Sequence, residues 1–155
     1  MPEPSLDQDN LEEDELMALA ARAAKLLMPG DVVLLWGEVG AGKTTFVRAA
    51  ARSLGIKETV TSPTYQFARS YEGCAGGRPV TMNHLDLYRL EGLETRDVLE
   101  LDEYLGPGSV TFIEWAEPAL ELLTAPSVVE LLHLTPTTRR VRISGPLAAR
   151  LSKTC

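Results

Sequence analysis

Cysteine is nearly absent from this sequence: Cys74 and Cys155 are the whole supply in 155 residues. Two cysteines so placed build no disulfide framework and fit a reducing compartment, so a cytoplasmic location is expected. Histidine is equally scarce. His84 and His133 stand apart from each other, and no acid–cysteine–histidine grouping has metal-ligand spacing, so zinc is not expected and both histidines read as structural. No apolar run approaches the roughly 20 residues that span a bilayer. The chain opens on acids rather than on bases followed by a hydrophobic stretch, so neither a membrane span nor a secretion signal is read. Positive charge is in deficit, with 15 bases against 22 acids and a formal charge of −7. The excess sits in residues 1–15, where Glu3, Asp7, Asp9, Glu12, Glu13, Asp14 and Glu15 face no base, while the remainder carries fifteen of each sign. Such a balance argues against a domain that grips nucleic acid on its own.

What is present describes one α/β domain. The length suits a single sheet-centred core, and 45% hydrophobic with 24% charged residues is ordinary for a globular chain. Residues 1–9 read as an acidic, disordered arm, and residues 10–155 as one domain. Asn10 and Glu13 resemble a helix-capping pair, and Leu16, Leu19, Ala20, Ala23 and Leu27 recur at helical spacing until Pro29-Gly30. Val32–Trp36 is wholly apolar, as a strand buried on both faces of a parallel sheet must be. A second helix follows from Thr44, with Phe46, Val47, Ala50 and Leu54 inward and Gly55 as its stop. Beyond Ser62-Pro63, a strand is expected around Tyr65, Phe67 and Ser70, and Glu72–Pro79 reads as a glycine-rich hairpin loop leading into a strand at Val80–Tyr88. Leu93, Leu99, Leu101, Tyr104 and Leu105 suggest a short helix. Val110–Ile113 is another buried strand, ending at Glu114. A short helix around Pro118–Leu123 and strands near Val128–Leu134 and Arg139–Ser144 complete the pattern. The expected architecture is a three-layer P-loop NTPase-like sandwich, a mixed and mostly parallel sheet flanked by helices.

The strongest motif is Gly37-Glu38-Val39-Gly40-Ala41-Gly42-Lys43-Thr44, a complete G-x-x-x-x-G-K-[ST]. Its glycines let the backbone curl so that successive N–H groups point at phosphate oxygens. The helix that follows adds the partial positive charge of its N-terminus. Lys43 is expected to reach the outer phosphates and the Thr44 hydroxyl to bind Mg2+, with ATP as the nucleotide. Such a site also needs a carboxylate at the end of a neighbouring strand, to hold the metal or orient the attacking water. Two are offered. Glu114 closes the run Val110-Thr111-Phe112-Ile113, and Asp86 lies in the more polar Asn83–Arg89. Either can serve as metal ligand and, with Lys43, in catalysis. Ser62-Pro63-Thr64-Tyr65 stands where many P-loop proteins keep a loop that senses the terminal phosphate, although it also reads as an ordinary turn. Trp36 and Trp115 flank the P-loop and Glu114, and are expected near the nucleotide.

These motifs, in this order, resemble the TsaE family, the bacterial ATPase of the tRNA threonylcarbamoyladenosine pathway. The resemblance is carried by the P-loop with Thr44-Thr45-Phe46, by Thr61-Ser62-Pro63-Thr64-Tyr65 and by His84-Leu85-Asp86-Leu87-Tyr88-Arg89-Leu90. Glu103-Tyr104-Leu105 and Ile113-Glu114-Trp115-Ala116-Glu117 extend it, over about residues 13–143. It implies ATP and Mg2+ contacts from Gly37, Gly40, Ala41, Gly42, Lys43, Thr44 and Thr45, with Glu114 as metal and catalytic acid and Asp86 as an acid important for turnover. It further implies a switch-like role for Thr64, an adenine-side contact near Glu13 and a C-terminal nucleotide contact near Arg139. The implied partners are TsaD- and TsaB-like proteins, with tRNA met only through that complex. Val39 and Ala116 depart from the family's usual leucine and proline. Between Asp86 and Glu121, ten acids face two arginines, a surface that repels phosphates and suits a basic protein partner. Two other readings stay open: a small-molecule P-loop kinase, against which stands the shortage of arginines for a lid, and a nucleotide-dependent binding module without required turnover. With no evident arginine finger besides Arg89, intrinsic hydrolysis is expected to be slow.

Overall fold

The computed structural model describes residues 5–38, 40–61, 68–88 and 101–153. Its centre is a seven-stranded sheet in the order β1-β7-β6-β2-β5-β4-β3. The strands are β1 (Ser5–Leu11), β2 (Val32–Gly37), β3 (Ala68–Ala75), β4 (Arg78–Asp86), β5 (Ser109–Glu114), β6 (Ser127–His133) and β7 (Arg139–Ser144). The inner strands β6, β2, β5 and β4 run parallel, and β1, β7 and β3 join antiparallel at the two sides. This is the mixed sheet expected from the alternation of elements.

β2 is central because every residue between Val33 and Leu35 is apolar. Val33 and Leu35 join one core cluster, with α1 (Glu13–Ala24), α2 (Lys43–Ser53) and a terminal helix α3 (Pro146–Lys153). Leu34 joins the other, with Leu85, Ile113, Leu101 and Ala119 of a 3₁₀ helix at Glu117–Leu122. Alternation along one strand therefore builds the cores on both faces of the sheet. Phe46 of α2 and Phe112 of β5 are the largest fully buried side chains.

Four expectations are corrected. First, the arm over residues 1–9 is not disordered throughout: Ser5–Leu11 is an edge strand on β7, with Leu6 opposite Ile143 and Gln8 opposite Val141. Its acids have uses that a count of charges does not reveal. Arg140 Nε donates to Asp7 Oδ1 at 2.9 Å, and Arg142 and Asp9 join the same cluster. Glu13, Asp14 and Glu15 form the first turn of α1, where carboxylates meet the positive end of the helix dipole. Second, Asn10 does not cap α1. It sits at φ +58 where the β1 register shifts, and Glu12 takes the cap position, its N–H donating to Glu15 Oε1 at 3.2 Å. Third, Glu72–Pro79 is not a long loop. β3 and β4 continue to a two-residue turn at Gly76-Gly77, both with positive φ, as such turns require. Fourth, α3 was not foreseen. It is held by long-range bonds: Ser127 Oγ accepts from Leu147 N at 2.9 Å, and Arg150 donates to Leu26 O at 3.0 Å and to Asp31 Oδ1 at 3.2 Å. The expected strand around Tyr65 and Phe67, and most of the helix expected from Leu93 onward, lie outside the described residues.

Two outcomes test this architecture. A Cβ on Gly37 would stand 2.3 Å from Leu131 O with φ at +145, so Gly37→Ala is expected to destabilise the domain by about 2 kcal/mol or more, read by urea unfolding. Arg140 lowers the Asp7 carboxyl below its ordinary pKa. The link from β1 to β7 is thus present above pH about 4 and is lost as pH falls through the folded value. Asp7→Asn should accordingly speed amide exchange in residues 5–11 at neutral pH while leaving that of β2 and β5 unchanged.

Candidate functional site

Where β2 leaves the sheet, the chain turns through Gly37, Gly40 and Gly42, each with positive φ, and enters α2 at Lys43. Glycine is needed at more than one of these positions for space as well as for φ. A Cβ on Gly42 would lie 2.7 Å from Leu16 Cδ2, so the first turns of α1 press against the loop. Gly42 occupies the N-cap of α2 without a side-chain acceptor, leaving the first helical N–H groups directed out of the helix end. Ala41 is buried, and Thr44 and Thr45 lie half-buried on the first turn of α2.

Lys43 folds back over the turn. Its Nζ donates to Gly37 O at 2.8 Å, stands 4.0 Å from Glu114 Oε1 and lies 4.7 Å from the centre of the Trp115 ring. The ammonium is thus held by a carbonyl, a carboxylate and an aromatic face, all at the carboxyl edge of the sheet. Trp115 is a non-glycine residue at φ +57, an uncommon conformation that turns its ring toward Lys43, and Tyr88 packs edge-on against it at 5.0 Å. Gly40, Gly42, Lys43, Thr44, Thr45, Glu114 and Trp115 line one cavity of about 260 Å3.

Glu114 reaches this cavity because β5 lies beside β2 in parallel register, with Leu35 opposite Glu114. Asp86 is the register partner of Glu114 on β4. It is half-buried, accepts from Tyr88 N at 3.0 Å, and stands beside the cavity rather than in its lining. Arg139, at the start of β7, is buried, and its Nε and Nη1 have no partner among the described residues. Its Cδ lies 3.7 Å from where a Gly42 Cβ would be, which brings a distant part of the chain against the loop. Glu13 opens α1 with its side chain exposed to solvent. Of the two tryptophans, Trp115 lines the cavity, whereas Trp36 packs against the core on the face of the sheet opposite α2. Val39, Thr64 and Arg89 lie outside the described residues.

The sequence reading of the two histidines as structural missed a contact at the site. His84 is fully buried, with Nε2 2.7 Å from Glu114 Oε2. The clue was period-two spacing: His84 and Asp86 share a strand face, and the register brings that face against Glu114. His133 Nε2 lies 3.8 Å from the Cβ position of Gly40, at the exposed rim of the loop. Among the described residues no three His, Cys, Asp or Glu side chains gather as a metal cluster, and no helix is long and apolar enough to cross a membrane.

The loop thus gathers a glycine turn, one lysine and the uncapped start of α2 opposite a carboxylate. Known proteins share the frame of this chain and much of its sequence. The sequence profile described as "Threonylcarbamoyl adenosine biosynthesis protein TsaE" matches residues 11–142. The tRNA threonylcarbamoyladenosine biosynthesis protein TsaE of Streptomyces coelicolor is 46% identical over 107 residues, covering 68% of this chain and 70% of that protein. The Bacillus subtilis protein of the same name is 43% identical over 103 residues, 66% of this chain and 61% of that protein, somewhat under two thirds of its length. The crystal structure of Bacillus subtilis YdiB superposes with a TM-score of 0.75 at 28% identity, over 99% of this chain and 97% of that one. With the profile spanning most of the chain and the fold in agreement, this protein belongs to the TsaE family of tRNA threonylcarbamoyladenosine biosynthesis.

Proposed function

We propose that the chain binds ATP with Mg2+ at the Gly37–Thr44 loop and hydrolyses it slowly, in support of a TsaB–TsaD-type complex that modifies tRNA. The observation that carries this reading is the cavity in which the Lys43 ammonium and the Glu114 carboxylate stand 4.0 Å apart, above the loop and the first turn of α2. A cation and an acid so placed serve opposite ends of one reaction: one meets phosphate oxygens, the other a metal or a water. Arg139 supports the same reading, because a buried guanidinium with two unpartnered nitrogens beside Gly42 suits an anionic or polar ligand at the loop. The cavity, at about 260 Å3, falls below the roughly 300–1,000 Å3 of pockets that enclose a drug-sized ligand whole. It therefore suits the phosphate end of a nucleotide, with the remainder outside it.

Each residue has a part in this reading. Loop amides and Lys43 bind the phosphates, Thr44 and Glu114 hold the metal, and Asp86 backs Glu114 from the neighbouring strand. Magnesium, which prefers oxygen ligands and keeps several waters, would neutralise charge on the phosphates and so ease attack at the outer one. Glu114 also accepts a proton from, or orients, the attacking water. Trp115 walls the Lys43 ammonium from solvent and stiffens its approach. The partners, TsaD- and TsaB-like, supply the transfer chemistry and the contact with tRNA, and the cytoplasm is where such a complex and its tRNA meet.

Three experiments check this. Lys43→Ala is expected to weaken ATP binding by on the order of tenfold to a hundredfold, measured by calorimetry, since a charged hydrogen bond to phosphate is lost. Glu114→Gln should keep ATP binding while losing hydrolysis by about a hundredfold or more in a phosphate-release assay. Nucleotide should change tryptophan emission in the parent and in Trp36→Phe but not in Trp115→Phe, because the indole of Trp115 is the one in the cavity lining. Equal ATP affinity of Lys43→Ala and the parent would overturn the site.

A further inference from the structure

We propose that His84 is a positioning residue for Glu114: from the interior of the sheet it commits one oxygen of that carboxylate, so that the other faces the P-loop cavity. The inference deepens the nucleotide-site reading above and rests on it.

The two oxygens of Glu114 have different neighbours. Oε2 lies 2.7 Å from His84 Nε2, inside the fold, and Oε1 is 4.0 Å from Lys43 Nζ, on the side of the cavity. The terminal torsion of a glutamate is broad and roughly two-fold, so the carboxylate plane has no strong preference of its own. A contact of 4.0 Å is an ion pair and too long for a hydrogen bond, so Lys43 attracts the group without fixing its plane. The 2.7 Å bond does fix it. With Glu114 as a carboxylate, which only accepts, the hydrogen of this bond belongs to His84 Nε2. Such a bond from a buried partner is how outer residues orient a metal-binding carboxylate.

Nothing in the packing calls for a histidine at this place. His84 is 0% exposed, and its other ring nitrogen, Nδ1, is buried without a partner among the described residues. A buried polar atom left unsatisfied costs stability, and a leucine here would avoid that cost. The neighbouring Asn83 shows the contrast. Its side chain points to the opposite face and is satisfied there, accepting from Ser70 Oγ at 2.7 Å and donating to Tyr104 O at 3.1 Å, as a residue serving the fold does. The return for the unsatisfied Nδ1 is therefore the Nε2 bond to Glu114. The register makes that bond possible: His84 lies opposite Phe112, and two residues on, Asp86 lies opposite Glu114, so all four point to one face of the sheet.

The test uses the full chain. In His84→Leu, hydrolysis of ATP at saturating magnesium is expected to fall about 10–100-fold, and the affinity of the ADP-bound protein for Mn2+, followed by electron paramagnetic resonance, to weaken about tenfold. ADP affinity measured without a metal should stay within about threefold of the parent, while the melting temperature is expected to fall, because Glu114 Oε2 is left buried without its partner. His84→Gln, whose amide reaches the Nε2 position, should recover most of the lost turnover. In a Glu114→Ala background, His84→Leu should change the residual rate by less than about twofold, since nothing is left to position. The proposal is overturned if His84→Leu matches the parent in turnover and Mn2+ affinity. It is also overturned if its loss multiplies undiminished onto that of Glu114→Ala. Should His84→Leu not fold, His84→Gln against His84→Asn, whose shorter amide stops short of Glu114, keeps the comparison: equal rates overturn the proposal, and a loss of about tenfold in Asn alone supports it. A parent protein that binds neither ATP nor ADP removes the nucleotide reading itself, a result visible before any His84 variant is made.

Discussion

Lys43 closes the turn that positions it. Its ammonium donates to Gly37 O at 2.8 Å, so the residue that opens α2 is tied to the one that ends β2, and the loop between them is a ring rather than a free crossover. That ring exists because no side chain stands in its way: a Cβ on Gly37 would meet Leu131 O, and one on Gly42 would meet Leu16. The close approach of β6 and of α1 to two glycines therefore shapes the loop as much as the loop's own torsions do. From it follow the direction of α2, the position of Thr44 and Thr45, and the wall against which Glu114 and Trp115 form the cavity.

The sheet supplies the acid side by register alone. β2, β5 and β4 are parallel neighbours, and their carboxyl ends bring Leu35, Glu114 and Asp86 into line. The switch of strand order at β2, between β6 on one side and β5 on the other, is where an open α/β sheet leaves a crevice for a ligand. Polar groups inside the fold carry this edge: the Asn83 network joins β3, β4 and β5 to the segment at Tyr104, and His84 joins β4 to Glu114 on the other face. The family assignment rests on residues 11–142 as a pattern, the loop and Glu114 among them, and the local geometry on a handful of distances.

Acids at the start of the chain illustrate how charge is misjudged without a partner in view. Seven carboxylates stand there with no neighbouring base, and those before Asn10 read as part of a disordered arm. Asp7 meets Arg140 and Arg142, which lie more than a hundred residues away, and Glu13, Asp14 and Glu15 serve the helix that follows. Likewise Gly73, Gly76 and Gly77 read as loop, although only the last two turn the chain. Gly73 is a strand residue whose missing side chain makes room for Leu54 O at the end of α2.

Local pattern was enough for β2, α2, β5, β6 and β7, for the glycine turn between β2 and α2 and for Glu114 at the end of β5, because each is written in contiguous residues: an apolar run, a helical period, spaced glycines, an acid closing a strand. The mixed sheet and the TsaE family were legible for the same reason. Pairings between distant segments were not legible: β1 on β7, α3 bound through Ser127 and Arg150, and His84 on Glu114. An isolated histidine or arginine carries no sign of its partner in the sequence, since that partner is chosen by strand register and by which elements pack together. Sequence thus determined which chemistry the chain possesses, and tertiary structure alone decided which of its groups meet.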